Sequence, residues 1–368
     1  MAVSAGTRAG GAVRVGLVGL GNSGWYYHAE QNLEPARAGG QLELVAVCDA
    51  DPARAAAAAE RFGARAHTDW RALVALEPER GGVELVVVAL PHHLHRDVVT
   101  GALEAGRHVH VEKPMATSRA DADAMLAAAR AAGRQLSVHQ QRRWEPDFQR
   151  VLQLVREGAV GPVRRVEVHR SHAGRYRTAG DGTPHTGDDV ATWTEGADTG
   201  GGVGWLIGPH PVDQVLQLLG PPSGVTGTAH RPPGSDVEDH LRIDLVFEQR
   251  GISASARIDV HREAEHAAPR FRVVGERGDI TSEDGTAVVV RDAGGAVVVV
   301  HDGLEPPGRL GAELYASLAA SLRGGPPVAV PGEQGRDVVD VLERALAPAG
   351  SGRRTVKVAI APADARSG

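Results

Sequence analysis

Lys113 is the residue whose type and position could perform chemistry most directly. Residues 85–114 predict a strand, a crossover helix and a second parallel strand, and Lys113 comes directly after that second strand. Ligands of open α/β sheets bind outside the carboxyl ends of the strands, so we expect the ammonium group to face a bound ligand. From there a lysine can give a proton to a reacting oxygen or take one from it.

A glycine-rich turn far upstream indicates what that ligand is. A predicted strand at residues 13–18 leads straight into Gly-Leu-Gly-Asn-Ser-Gly at residues 19–24. Glycines at this spacing permit a tight turn, close approach of the backbone to a pyrophosphate and close packing of the next helix. A chain with 47 glycines can contain this pattern by chance, so its context has to support it. We assign five positions of the turn to dinucleotide binding: Gly19, Gly21, Asn22, Ser23 and Gly24.

Asp49 supports the dinucleotide interpretation. It follows a second predicted strand, at residues 42–48, and its carboxylate can accept hydrogen bonds from an adenosine ribose while repelling a 2′-phosphate. We therefore expect NAD, with NADP as the alternative because Arg54 is nearby. Asp49 could instead start a turn or cap the next helix. Asp51 and Pro52 already fit that capping pair, which leaves Asp49 for the ribose.

The elements around these residues predict two kinds of sheet. Strand and helix patterns alternate from residue 13 to residue 139, which is typical of a doubly wound Rossmann fold with a parallel sheet. Strand-like runs dominate residues 223–300, separated by turn-rich segments, which favours an antiparallel sheet. Residues 171–202 have little periodicity and predict a long loop. Helices are expected at 147–157, 212–219, 313–322 and 335–346.

Composition narrows the class of protein. The chain has 368 residues, a net charge of −6 and 42% hydrophobic residues, which suits a globular protein of two domains and disfavours nucleic-acid binding. No apolar run is long enough to span a bilayer, so we expect no membrane association. The single cysteine, Cys48, cannot form an internal disulfide, and together these features predict a cytoplasmic protein. Residues 1–12 are small and glycine-rich and predict a disordered tail.

The segments GLVGLGNSG, AVCDADPARA, ALPHHLH, AGRHVHVEKP and QQRRWEPDF occur in the order and spacing of the Gfo/Idh/MocA oxidoreductases, which the chain resembles. The resemblance implies an N-terminal Rossmann domain that binds NAD(P), at residues 13–139. It also implies a C-terminal α/β domain with a large, mostly antiparallel sheet, at residues 140–361, for substrate binding and oligomerisation. Members of the family commonly form dimers or tetramers, so we expect a homodimer or homotetramer.

The same resemblance implies roles around Lys113. The family places this lysine beside the nicotinamide and the substrate hydroxyl, which makes it the main acid–base group. Glu112 would orient the cofactor or the lysine, and Pro91 and His95 would lie at the cofactor. Pro114 would follow a cis peptide bond that positions the lysine.

A second motif, residues 200–213, resembles the family's glycine, aspartate and histidine signature. His210 matches the catalytic histidine and Asp213 a trailing aspartate, whereas Leu206 stands where the family has its catalytic aspartate. Lys113 and His210 could suffice, which we favour because one positioned group already accelerates proton transfer by about 10²- to 10⁴-fold. Alternatively a loop carboxylate replaces the aspartate (Asp188, Asp189 or Asp198), or hydride transfer has been lost. His210 could also be satisfied by the backbone alone.

The remaining polar residues predict substrate contacts. Arg142 and Arg143 lie in the family's RR motif and could meet the substrate or form an interdomain salt bridge. In the long loop, His172, Tyr176 and Trp193 could line a sugar pocket or face solvent. His92, His93 and His95 suggest a metal cluster, but neither a cysteine nor a paired carboxylate accompanies them, and hydride transfer needs no metal. We therefore expect no metal.

These observations predict an NAD-dependent oxidoreductase, with NADP as the alternative cofactor. It would move a hydride between the nicotinamide and a secondary alcohol or ketone of a sugar, inositol or related polyol. A reductase of an imine or a nucleotide-linked keto-sugar is one alternative. A regulatory protein that binds NAD(H) without turnover is another, motivated by Leu206.

Overall fold

The structure, a computed structural model, describes residues 11–171, 192–249, 252–262, 268–283, 285–304 and 310–347. Two sheets organise these residues: a parallel sheet of six strands and a mostly antiparallel sheet of eight. Both sheets were predicted from the pattern of the sequence, and both are confirmed. The candidate residues lie where the two sheets come together.

The first sheet has the order β3-β2-β1-β4-β5-β6, and every neighbouring pair is parallel. Its strands are β1 (Val13–Val18), β2 (Leu42–Cys48), β3 (Arg65–His67), β4 (Leu85–Val88), β5 (His108–Val111) and β6 (Leu136–Val138). The order reverses between β1 and β4, where ligands bind in doubly wound sheets. The glycine turn follows β1 and Lys113 follows β5, so both lie at the carboxyl edge of this sheet.

Helices alternate with the strands of this sheet, as the sequence pattern predicted. They are α1 (Glu34–Ala38), α2 (Pro52–Phe62), α3 (Trp70–Ala75), α4 (His95–Glu104) and α5 (Arg119–Ala132). At α2 the Asp51 carboxylate accepts the Ala53 N–H at 2.9 Å, and Gly63 ends the helix in a left-handed conformation. The helix after the glycine turn differs from an ordinary one, because Ser23–Leu33 is π-helical before it continues into α1.

The second sheet has the order β14-β13-β12-β11-β7-β10-β9-β8, and only the pair β7 and β10 is parallel. Its strands are β7 (Val163–Ser171), β8 (Gly224–His230), β9 (His240–Gln249), β10 (Ile252–His261), β11 (Phe271–Gly275), β12 (Gly278–Ser282), β13 (Val288–Asp292) and β14 (Val297–His301). Sequence patterns missed β3, β8 and β12. β8 is glycine-rich because α10, described below, packs closely on it: a Cβ at Gly227 would lie 2.0 Å from the Ala345 carbonyl oxygen.

Five further helices connect the sheets. They are α6 (Pro146–Arg156), α7 (Val203–Leu206), α8 (Pro209–Leu219), α9 (Ala312–Leu322) and α10 (Gly332–Leu346). Tyr315 and Leu318 of α9 belong to the apolar cluster that covers the first sheet, and α10 contacts α5, α8 and β8. The chain therefore returns to the first sheet after building the second. Among the described residues, no helix is both long and apolar enough to cross a membrane.

Candidate active site

The glycine turn is built so that its backbone can approach a ligand closely. Gly19 has a φ of 93°, and a Cβ there would lie 2.3 Å from the Ala89 carbonyl oxygen. A Cβ at Gly24 would lie 1.9 Å from the Gly19 carbonyl oxygen. Side chains are therefore sterically excluded at both positions, and Gly21, Asn22 and Ser23 between them are partly exposed. This geometry fits the pyrophosphate of a dinucleotide.

Asp49 lies against this turn. Its Oδ2 accepts the Leu20 N–H at 2.9 Å, and its Oδ1 accepts the Asp51 N–H at 3.0 Å. Arg54 Nη1 lies 3.4 Å from Asp49 Oδ2, and its side chain is 37% exposed. The Asp49 carboxylate, which can accept a hydrogen bond from a ribose hydroxyl, therefore lies beside the Arg54 guanidinium, which can bind a 2′-phosphate. The residues fit a dinucleotide, and both NAD and NADP remain chemically compatible with this corner.

Lys113 is held by a backbone group of the second half. A cis peptide bond joins it to Pro114, and its Nζ donates to the Leu206 carbonyl oxygen at 2.8 Å. Burial lowers the pKa of Lys113, the nearby Glu112 carboxylate opposes this shift, and the Arg142 guanidinium adds to it. At the position of the missing aspartate, α7 thus offers Lys113 a main-chain acceptor instead of a carboxylate.

The imidazole cluster lies directly behind this lysine, and consists of His28, His110, Glu112, His139 and Tyr315. Glu112 Oε2 accepts the Lys113 N–H at 2.8 Å, and Glu112 Oε1 lies 3.1 Å from His28 Nε2. Burial alone would raise the pKa of Glu112, but the hydrogen bond from His28 and the positive charges around it hold that pKa well below its usual range. Glu112 therefore carries a negative charge that orients the Lys113 backbone.

His95 and Trp193 frame the turn after β4. The His95 ring faces the Pro114 carbonyl oxygen at 3.0 Å and the Leu90 carbonyl oxygen at 2.9 Å, and burial lowers its pKa. His95 therefore ties the Lys113–Pro114 turn to the end of β4, next to Pro91. Trp193 packs edge-to-face on His92, with 4.8 Å between ring centroids, and His92 donates to the Gly200 carbonyl oxygen at 2.8 Å.

His210 lies in the first turn of α8 and is buried. Its Nδ1 has no hydrogen-bond partner among the described residues. Burial holds the pKa of His210 well below its usual value, and the charges of Lys113 and Arg142 lower it further. The imidazole is therefore neutral at pH 7 and has a ring nitrogen available to a ligand. Lys113 and His210, predicted from distant motifs, lie close enough for the charge of one to act on the other.

Arg143 and Asp213 bind each other instead of standing free. Arg143 Nε donates to Asp213 Oδ2 at 2.7 Å, both side chains are buried, and Arg143 Nη1 also donates to the Gln334 amide oxygen at 2.6 Å. This bidentate pair ties the start of the second half to α8 and α10. Our prediction that both residues contact the substrate does not fit this arrangement, because their polar atoms already bind each other. The arrangement matches the alternative for Arg143, which is a salt bridge.

The arginine cluster, which consists of Arg142, Glu145, Arg170 and Arg270, lies beside the same site. Arg142 Nη1 lies 2.5 Å from Glu145 Oε1, Arg270 Nη2 lies 2.9 Å from Glu145 Oε2, and Arg170 also pairs with Glu145. Burial raises the pKa of Glu145, but the three guanidinium groups outweigh it and lower the value to about 2. Arg142 is the member predicted from sequence, and its partly exposed guanidinium can also reach a ligand.

Other predicted residues are either exposed or outside the residues that the structure describes. Asp198 is exposed in the turns before the Gly200–Gly202 run. His172, Tyr176, Asp188 and Asp189 lie outside the described residues. Sequence reasoning missed Glu145, Arg170 and Arg270 as a group, and it missed His28 and His139. The signal for Glu145 was its place directly after the RRW segment, whereas Arg170 and Arg270 come from separate strands.

The site and the fold define an NAD-binding oxidoreductase of the Rossmann type. A model described as "Oxidoreductase family, NAD-binding Rossmann fold" matches residues 13–140, and one described as "GFO/IDH/MocA C-terminal domain" matches residues 148–281. The chain belongs to the Gfo/Idh/MocA family, as its motifs indicated.

Relatives in the family include enzymes of free and nucleotide-linked sugars. The chain is 27% identical to the scyllo-inositol 2-dehydrogenase (NADP(+)) IolW of Bacillus subtilis, covering 72% of this chain and 76% of that protein. It is 30% identical to the dTDP-3,4-didehydro-2,6-dideoxy-alpha-D-glucose 3-reductase of Actinomadura kijaniata, covering 56% of each. The WlbA dehydrogenase of Bordetella pertussis, solved with NADH and UDP-GlcNAcA, superposes with a TM-score of 0.72 at 26% identity, covering 90% of this chain and 94% of that one.

Proposed function

We propose that the chain moves a hydride between a nicotinamide and a secondary alcohol or ketone carbon of a sugar, inositol or related polyol. The observation that carries this proposal is the pairing of Lys113, held by the Leu206 carbonyl oxygen, with a neutral His210 whose Nδ1 has no partner. Lys113 lies at the carboxyl edge that the glycine turn and Asp49 share, and its charge acts on His210. The bound dinucleotide supplies or accepts the hydride.

Lys113 and His210 then have distinct tasks. In reduction the Lys113 ammonium donates a hydrogen bond and then a proton to the reacting oxygen as negative charge develops there. In oxidation a neutral amine accepts that proton, and the lowered pKa of Lys113 makes this form more accessible near neutral pH. His210 positions a substrate hydroxyl through its unpartnered nitrogen. Leu206 contributes only its main-chain oxygen, so a catalytic aspartate is not needed to hold the lysine.

The other predicted residues receive supporting roles in this proposal. The glycine turn and Asp49 hold the dinucleotide, with Arg54 keeping NADP as the alternative. Arg142 contacts the substrate, whereas Arg143 and Asp213 keep α8 and therefore His210 in place. We keep the division at residue 140, with residues 13–139 for the cofactor and 140–361 for the substrate, and we propose a cytoplasmic enzyme.

A nucleotide-linked sugar is the second candidate substrate. Two of the relatives above act on or bind such molecules by name, and the partly exposed Arg142 lies beside His210. A guanidinium that is not fully neutralised by its carboxylate partner can bind a phosphate. An imine-reducing activity and a non-catalytic NAD(H) sensor are the remaining alternatives.

Cofactor binding and turnover test the proposal together. Thermal shift with NADH and NADPH should raise the melting temperature for the preferred cofactor, since a ligand of the folded state stabilises it. A panel of polyols, keto-sugars and nucleotide-linked sugars is then scored by NADH absorbance. Lys113→Met should lower turnover by about 10²- to 10⁴-fold and keep NADH binding. Lys357→Met, at the other lysine of the chain, is the matched control and should leave turnover unchanged.

Each outcome decides between the candidates. Turnover of one free polyol that Lys113→Met abolishes supports the first proposal. Turnover of nucleotide-linked sugars alone supports the second candidate substrate. Binding of NADH with no turnover on the panel supports a sensor, and binding of neither cofactor overturns the whole assignment.

Oligomer formation is proposed from β14. Val297, Val298, Val299 and Val300 expose 57%, 61%, 39% and 52% of their surfaces on an edge strand of the second sheet. Exposed apolar edges mark interfaces or aggregation sites in soluble proteins. We propose that a second copy covers this strand in a homodimer or homotetramer. Light scattering should show a smaller particle for Val298→Lys, and an unchanged mass would place the interface elsewhere.

A further inference from the structure

We propose that the imidazole cluster binds one divalent transition-metal ion of the zinc type through His28 Nε2, Glu112 Oε1 and His139 Nε2. Each of the three residues offers a ligand atom within 4.8 Å of those of the other two, and all three residues are buried. Two imidazole nitrogens and one carboxylate oxygen form a donor set that Zn²⁺ prefers. The cluster is separate from His92, His93 and His95, and the proposal replaces the expectation that the chain binds no metal.

The donor atoms are already close to a metal geometry. A tetrahedral Zn²⁺ with bonds of about 2.1 Å places its ligand atoms about 3.4 Å apart. His28 Nε2 and Glu112 Oε1 lie 3.1 Å apart, so this pair needs almost no movement. His139 offers its ligand atom within 4.8 Å of these two, and a water molecule would supply the fourth ligand, as at zinc sites with three protein ligands.

The unused nitrogen of His139 is the second observation. Its Nε2 is buried and has no hydrogen-bond partner among the described residues, while the ring lies 4.5 Å from the His28 ring. Buried polar atoms in folded proteins nearly always have a partner, and an exception calls for a missing ion or water. A metal ion bound by His28 and Glu112 would lie where His139 can supply the third bond.

The remaining hydrogen bonds permit the tautomers that a metal requires, and the metal ion would replace the hydrogen bond from His28 Nε2 to Glu112. His139 Nδ1 lies 2.9 Å from His110 Nε2, and His110 Nδ1 lies 2.8 Å from Ser137 Oγ. His139 can therefore donate from Nδ1 to His110, which in turn donates to Ser137. His28 Nδ1 lies 2.6 Å from the Tyr315 hydroxyl oxygen, which can accept a hydrogen bond from it. Both metal-facing nitrogens then present lone pairs, as supported histidine ligands do.

The three ligands come from separate parts of the first half. His28 lies in the π-helix after the glycine turn, Glu112 follows β5, and His139 follows β6. A bound ion would join these three elements behind Lys113. The proposal does not depend on the substrate or on turnover.

The test is metal binding by the full chain, with any affinity tag removed. Protein stripped with a chelator is titrated with Zn²⁺, and with Co²⁺ as a spectroscopic probe of tetrahedral coordination. We expect one equivalent of Zn²⁺ to remain after dialysis and to raise the melting temperature. His139→Gln should weaken Zn²⁺ binding by about 100-fold or more, and Tyr315→Phe, which removes only the partner of His28, by about 10- to 100-fold.

His93→Gln is the matched control, because His93 is exposed and belongs to the competing histidine group. It should leave Zn²⁺ binding unchanged. Absence of stoichiometric uptake overturns the proposal, as does equal uptake by His139→Gln and the parent. Loss of uptake in His93→Gln alone would place the ion on the histidine group at residues 92–95 instead. If His139→Gln does not fold, Zn²⁺ binding by Tyr315→Phe tests the proposal instead, and binding equal to that of the parent would overturn it.

Discussion

Two polar clusters flank Lys113, and they stabilise the site in opposite ways. The imidazole cluster places two imidazoles that are neutral at pH 7 near one carboxylate, because burial lowers the pKa of His139 to about 3 and holds that of His110 well below its usual value. The arginine cluster surrounds Glu145 with guanidinium groups, which stay charged at neutral and acidic pH, although burial lowers the pKa of Arg170 to about 10. The free energy of unfolding therefore depends on the imidazole cluster just below neutral pH, where histidines of the unfolded chain take up protons, and does not depend on the arginine cluster in that range.

The difference concerns how each half of the chain accommodates buried polar groups. The first half places neutral rings in its core, where a proton or a metal ion can change their charge. The second half pairs permanent charges, in the arginine cluster and again between Arg143 and Asp213. Lys113, between the two clusters, lies next to one environment whose charge can change and one whose charge is fixed. The predictions below test this contrast, beginning with the largest expected effect.

Breaking a fixed pair should have the largest effect. Arg143→Met leaves the Asp213 carboxylate buried without its partner, and this should lower the free energy of unfolding by about 3–5 kcal/mol. Replacing both residues, as Arg143→Met with Asp213→Leu, should recover much of that loss. Urea unfolding of the parent and the two variants measures both steps. Equal stability of the single and double variants would show that the pair is not isolated from water.

Acidification should weaken the imidazole cluster first. In the unfolded chain a histidine takes up a proton below about pH 6.5, whereas buried His139 stays neutral down to about pH 3. The unfolded state therefore binds more protons, and stability falls as pH falls through this window, by about 1.4 kcal/mol per pH unit for one such histidine. Urea unfolding of metal-free His139→Gln between pH 6.5 and pH 5 should show a shallower fall than the parent. An identical pH dependence of the two proteins would show that buried His139 does not cause the loss of stability.

The arginine cluster should respond only at lower pH. The pKa of Glu145 is about 2 in the folded chain and near its usual value when unfolded, so its contribution is present above about pH 4.5 and is lost as pH falls through that lower range. Glu145→Gln should therefore flatten the stability curve between pH 4.5 and pH 3 and leave the slope above pH 5 unchanged. If the change appeared above pH 5, the two clusters would not be separable.

The smallest effect is on Lys113 itself and can be measured directly, because the chain contains only two lysines. Selective ¹³C labelling of lysine should give one NMR signal that titrates below the usual pKa. Glu112→Gln should lower the pKa of Lys113 further, because the carboxylate that favours the ammonium is lost, and Arg142→Gln should raise it, because a repelling charge is lost. Lys113→Met identifies the signal. Shifts of the opposite sign would show that these neighbours do not set its charge.

The sequence was informative where the structure is local. The glycine turn, Asp49, the Asp51 cap and the position of Lys113 at a strand end all depend on neighbours within a few residues. Both sheets followed from periodicity. The short strand β3 and the glycine-rich strand β8 did not, since neither has the apolar alternation that pattern reading requires.

The contacts that the sequence did not reveal join distant segments. Lys113 and Leu206 are 93 residues apart, Arg143 and Asp213 are 70 apart, and His28 and Glu112 are 84 apart. No spacing rule connects such residues, because only the folded sheet brings them together. Leu206 was interpreted through its side chain, whereas its main-chain oxygen is the group that Lys113 contacts.

That oxygen makes the site robust to mutation in an unusual way. Every residue type at position 206 carries a carbonyl, so no single codon change removes the acceptor of Lys113. An alanine scan would record only the packing of a buried leucine and would pass over the contact. The residue type at position 206 can therefore change while the hydrogen bond that holds Lys113 is kept. Only a change to the main chain, such as an ester in place of the following amide, would weaken the acceptor and reveal its contribution.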